Sequence, residues 1–146
     1  MCPALEKAAQ GAANALGASI EIRKSANTYL NMVNNITLAE TLKNNMLSLG
    51  MEIEGLSRRG VATDMGNVSQ VAPSIHPFIA IGPKGIAWHS RESANAASSP
   101  QAYTATIKTA KAFGMTAIDI FSNPGLVRRI RGEFSKSKRN LSFATL

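Results

Sequence analysis

At 146 residues, with 45% hydrophobic and 17% charged residues, the chain is one domain's worth of polypeptide with enough apolar content for a single core. No apolar run approaches the roughly 20 residues that cross a bilayer, and MCPALEKAAQG reads as no secretory signal, so no membrane partner is expected. The formal charge of +7 crowds into Arg128, Arg129, Arg131, Lys136, Lys138 and Arg139 without interleaved aromatics, which argues against a nucleic-acid partner.

The single cysteine, Cys2, permits no internal disulfide and fits a reducing, cytoplasmic setting. Residues 3–17 are expected as a helix. Pro3 suits its first position, Leu5, Ala9, Ala12 and Leu16 recur at helical spacing, and Gly17 closes it. Residues 19–24, SIEIRK, alternate polar with apolar and read as a short strand with Ile20 and Ile22 on one face. A lone strand cannot satisfy its own backbone groups, so a partner sheet is implied. Residues 26–35 hold four asparagines without steady periodicity and read as a hinge.

Thr37-Leu-Ala-Glu40 is a capping-box pattern, and Leu38, Leu42, Met46 and Leu49 then form one helical stripe before the Gly50 stop. Residues 51–54 read as a brief strand, and Arg58-Arg59-Gly60 leads into TDMGNVSQVAPSIHPFIAIGPKGIAWHS, which spans 63–90. Within that segment, residues 78–81 are a strand bounded by prolines, 82–85 a turn without P-loop spacing, and Trp88 a packing residue. Ser99-Pro100 starts a long helix to about Phe121, with Tyr103, Ile107, Ala110, Gly114, Ile118 and Phe121 along one face. Asn123-Pro124 starts a last helix to about Ser135, and residues 136–146 are expected to be disordered. The order makes an α/β chain with too few strands for a sheet of its own.

The chemistry-bearing residues lie in the 63–90 segment, and each has two readings. Asp64 is an Asx turn or helix cap bonding the N–H of Gly66 or Asn67, or an acid lining a cleft. His76, in Ser74-Ile-His-Pro77, fixes the turn into the strand or stabilises an oxyanion. His89 is a surface histidine or a metal ligand presented on a loop. Asn67 and Ser69 are polar contacts for a substrate amide or carboxylate.

The words T-D-M-G-N-V-S, P-S-I-H-P and W-H-S-R-E resemble the C-terminal catalytic segment of the zinc-dependent aminoacylase and carboxypeptidase-type metallohydrolases. The nearest branch is the amidohydrolase one, which holds p-aminobenzoyl-glutamate hydrolase and related dipeptidases. The resemblance covers about residues 1–135, roughly the last third of a full-length relative. It implies a partial zinc-peptidase-like α/β catalytic domain preceded by the last α-β unit of an inserted domain. Residues 1–25 would end that dimerisation domain, 26–35 form the hinge, 36–135 belong to the catalytic domain, and 136–146 are a basic tail.

The resemblance further implies that His89 binds one zinc of a two-zinc site, with Asp64, Asn67, Ser69 and His76 on the substrate side. Two metals would polarise an amide carbonyl and generate hydroxide. The His-x-Asp, Cys-x-His and Glu-Glu elements of such sites are absent, so no catalytic residue is assigned. Val61-Ala62 and Ser93 also depart from the pattern, which prefers small polar residues and an aromatic there. The implied partners are a missing N-terminal catalytic segment or a split-enzyme partner, a second copy, and a small amide substrate. By this reading the chain is one portion of an amidohydrolase, inactive alone. A non-catalytic interaction module, with a basic tail on an acidic partner, is the alternative.

Overall fold

The computed structural model describes residues 3–23, 28–55 and 63–143. Cys2, Arg58-Arg59-Gly60, Val61-Ala62 and the first two hinge positions lie outside them, as do the side chains of Lys138 and Arg139. The described residues form α1 (Pro3–Ala15), α2 (Ile36–Ser48), α3 (Met65–Ser69), α4 (Arg91–Ala97), α5 (Pro100–Ser122) and α6 (Pro124–Phe143). No described helix is long and apolar enough to cross a membrane.

The helix ends largely follow local chemistry. Gly17 (φ 64°) and Gly50 (φ 65°) adopt the left-handed conformation that stops a helix without steric cost. At each, the next amide reaches back five residues, Ala18 N to Ala13 O at 2.9 Å and Met51 N to Met46 O at 3.1 Å. Ser99 caps α5 by accepting from Ala102 N at 3.1 Å, with Pro100 at the first helical position. Asn123 likewise accepts from Leu126 N at 3.0 Å to start α6. α6 continues to Phe143, well past the Ser135 end expected from sequence.

The start of α2 departs from expectation. Thr37 and Glu40 form no capping box. The cap is Asn35, whose Oδ1 accepts from Leu38 N at 3.0 Å. Glu133 of α6 accepts from the amides of Ile36 and Thr37 and from the Thr37 hydroxyl. A tertiary carboxylate thus fills the donors that a local Glu was expected to fill. Asn35 is 3% exposed, and its Nδ2 also donates to Ile130 O at 2.9 Å, which ties α2 to α6.

The core is small. Leu42 and Met46 of α2 meet Ala112 of α5, and Leu49, Met51, Ile53, Ile75 and Ile79 pack around them. Leu126 and Ile130 of α6 are also buried. The stripe expected to bury α5 points the other way. The buried positions are Ala102, Thr109, Ala112 and Thr116, small enough to let α5 approach α2, whereas Tyr103, Ile107, Ile118 and Phe121 are exposed. The buried threonines satisfy their hydroxyls on their own helix, Thr109 on Ala105 O and Thr116 on Ala112 O. Asn45 of α2 closes the contact, donating to Thr116 Oγ1 and Asp119 Oδ2 at 3.0 and 2.8 Å.

The strands expected for an α/β chain do not form among the described residues. Residues 19–23, 51–54 and 78–81 are in no strand, and the sole pairing among the described residues is an isolated parallel bridge, Asn34 to Ser74. A strand exists only when a neighbour takes its backbone groups, and no ladder of such bonds forms at these segments among the described residues. Their side chains still alternate. Met51 and Ile53 are half-buried between exposed Glu52 and Glu54, and Ile79 and Ile81 between exposed Phe78 and Ala80. An exposed Lys84–Glu54 ion pair at 2.5 Å links the 51–54 stretch to the turn that follows 78–81.

Candidate functional site

The T-D-M-G-N-V-S word folds as the short helix α3. Thr63 Oγ1 accepts from Met65 N at 3.3 Å, and Asp64 O accepts from Asn67 N at 2.9 Å. Asp64 occupies the cap position, yet its side chain makes no cap bond, and it is exposed. Of its two sequence readings, the side-chain cap is the one this geometry does not use.

Residues 28–35 run across α3 as a strap. Asn67 Oδ1 accepts from Leu30 N at 2.9 Å while its Nδ2 donates to Thr28 O at 3.1 Å. Ser69 Oγ accepts from Val33 N at 3.0 Å and donates to Gly66 O at 2.6 Å. Gln70 adds a bond to Asn31 O at 2.8 Å. Gly66 is a glycine because the strap lies on it: an added Cβ would stand 1.8 Å from Leu30 O. Asn67 and Ser69, expected to touch a substrate, thus spend these polar groups on the strap. Gly66, expected from sequence only as part of the Asp64 turn, is where the strap comes closest to α3.

Thr63 also reaches His76, with Oγ1 3.4 Å from Nδ1. His76 stacks on Phe78 (5.2 Å, 25°), and Phe78 packs on Trp88 (5.0 Å, 34°). The side chains form a continuous row from Asp64 through Thr63, His76 and Phe78 to Trp88, whose neighbour in sequence is His89. Trp88 is 57% exposed, so it closes this row at the surface rather than filling the core. The period-2 spacing of His76 and Phe78 was the signal for their shared side.

His89 is the described residue other than glycine with a positive φ, 59°. It precedes Ser90, whose Oγ accepts from Ser93 N at 3.1 Å to cap α4. No helix is expected here from sequence, although Ser90 as a cap residue with Glu92 in the first turn is a start signal. The His89 side chain is exposed and makes no hydrogen bond to the described residues. No group of three or more His, Cys, Asp and Glu able to hold a metal occurs among them. Zinc takes about four donors, so His89 suits it in kind but provides one donor of a set. A groove of about 450 Å³ between α2 and the α5–α6 corner is lined by Thr41, Asn45, Asp119 and Ser122, and by none of the motif residues.

No protein-family model matches the chain. It is 38% identical over 129 residues to Xaa-Arg dipeptidase of Mus musculus and 37% identical over 129 residues to Xaa-Arg dipeptidase of Homo sapiens. Each alignment takes in 86% of this chain but only 30% and 29% of those proteins. The chain therefore spans under a third of the curated relatives it matches. Similarity of this extent supports kinship with the peptidase and amidohydrolase family.

Proposed function

We propose that this chain is the C-terminal portion of a metal-dependent dipeptidase of the amidohydrolase kind, hydrolysing the amide of a small dipeptide or N-acyl amino acid. The observation that carries the reading is His89: an exposed imidazole on backbone at φ 59°, in a segment similar to dipeptidases. Backbone in that region is costly for a non-glycine residue and persists where function or surrounding structure demands it. The name of these relatives, Xaa-Arg dipeptidase, suggests a dipeptide ending in arginine as the first substrate to try.

In this reading His89 donates its imidazole to zinc, and the remaining donors come from polypeptide outside this chain. Zinc, when held, would polarise the scissile carbonyl and lower the pKa of water. Asp64 and His76 flank the substrate along the row that leads to Trp88. Asn67 and Ser69 act one step back, holding the strap so that the Thr63-Asp64 turn is already in place when substrate arrives.

The test combines metal analysis with a dipeptidase assay. The chain alone should bind zinc weakly and leave an Xaa-Arg dipeptide intact. Inserted in place of the matching stretch of the Mus musculus protein, it should restore zinc and turnover, and His89→Ala should lower the zinc content and abolish the turnover. Turnover by the isolated chain with stoichiometric zinc would sink the reading, as would full activity of the His89→Ala chimera.

A further inference from the structure

The outer side of α5 has no occupant among the described residues. At 3.6 residues per turn, Tyr103, Ile107, Ala110, Gly114, Ile118 and Phe121 fall within an arc of about 80°, opposite the side that meets α2. The large members are open to solvent: Tyr103 71%, Ile118 66% and Phe121 88% exposed. The charged residues of the helix, Lys108, Lys111 and Asp119, all lie outside this arc. A long helix apolar on both sides is one that gets covered on both sides.

Gly114 is a separate observation. Glycine weakens a helix interior, and here an added Cβ would meet nothing within 4 Å. No neighbour described in this structure accounts for its lack of a side chain. A residue that keeps space open, at the centre of an apolar stripe, fits a second backbone element crossing closely over it. The relatives supply the candidate, because more than two-thirds of their length lies outside the matched stretch.

We propose that this face of α5 is the docking surface for the polypeptide equivalent to that remaining portion, an apolar element crossing next to Gly114. The proposal rests on the reading of the chain as one portion of a peptidase. It adds where the other portion sits.

The experiment places Tyr103→Cys or Ile118→Cys in a Cys2→Ser background, in the isolated chain and in the Mus musculus chimera. Reaction with iodoacetamide should run at the rate of an exposed thiol in the isolated chain and at least tenfold slower in the chimera. Gly114→Leu should lower the Tm of the chimera and not that of the isolated chain. Equal labelling rates would overturn the proposal. So would a chimera that fails to melt cooperatively with α5 unaltered, since a surface made for that polypeptide must accept it. Protection in the isolated chain, with a dimer mass in sedimentation, would assign the face to a second copy and overturn it too. Zinc content of the same chimera reports on the functional reading separately: a covered face without zinc leaves this proposal standing and removes that one.

Discussion

The Glu133 carboxylate on α6 holds both the amide and the hydroxyl of Thr37 at the start of α2, at 2.9 and 2.7 Å, across 96 positions of chain. Partial burial alone would raise the Glu133 pKa, but bonds from the Thr37 hydroxyl, the Thr37 amide and the Ile36 amide outweigh it and hold the carboxyl below its ordinary value. A depressed carboxyl stabilises the fold above its unfolded pKa, and that stabilisation is lost as pH falls through the folded one. Glu133→Gln should therefore cost about 1 kcal/mol at neutral pH, kept modest by solvent screening of a partly exposed group. Urea melts from neutral to acidic pH check this: the gap between the proteins should close in acid. A gap independent of pH would show that the charge is not what holds the helix ends together.

The strap over α3 leaves no room at Gly66. Gly66→Ala drives a Cβ into the Leu30 carbonyl, which is backbone and cannot swing aside, so a loss of about 1–3 kcal/mol is expected. Asn67→Ala removes both strap bonds and should cost about 1–2 kcal/mol. Limited proteolysis within residues 28–35 should quicken in both variants. Unchanged cleavage would mean that the strap is held by something other than these bonds.

The same substitution should have the opposite sign at Gly114. With open space around it and helical backbone, Gly114→Ala in the isolated chain should gain about 0.5–1 kcal/mol. Chemical denaturation of the two alanine variants side by side makes the comparison. A loss at Gly114 in the isolated chain would mean that the position is already covered.

His89 sets stability against binding. Replacing it with glycine relieves left-handed backbone at a cost in chain entropy, so the isolated chain should gain up to about 1 kcal/mol. In the chimera His89→Gly should lower zinc retention by the ion that His89 holds, read by metal analysis after dialysis. A variant both less stable and still loaded with zinc would remove the argument from backbone strain.

Much of the local structure was legible in the residues. The Ser99-Pro100 and Asn123-Pro124 starts and the Gly17 and Gly50 stops act through neighbours a few positions away, and each forms as read. The Asp64, His76 and His89 candidates were found from short words and lie along one row of contacts or beside its end. The capping box at Thr37 was misread because Glu133, the only acid after Asp119, competes for the same amides from another helix. Asn67 and Ser69 read as ligand contacts because a polar pair on a turn looks alike whether it awaits a substrate or clasps a strap.

The long helices α1, α2, α5 and α6 in their order, and the words that resemble metallohydrolases, belong to the amino-acid sequence alone, because propensity and capping act within a turn or two of chain. Which side of α5 is buried, whether 51–54 and 78–81 become strands, and whose carboxylate caps α2 were decided only in three dimensions. Each depends on what lies alongside: Ala112 against α2, a backbone ladder that does not form at the alternating segments among the described residues, and Glu133 above Thr37. Contacts of that kind are set by packing and hydrogen bonding between residues far apart in the chain, which periodicity cannot register.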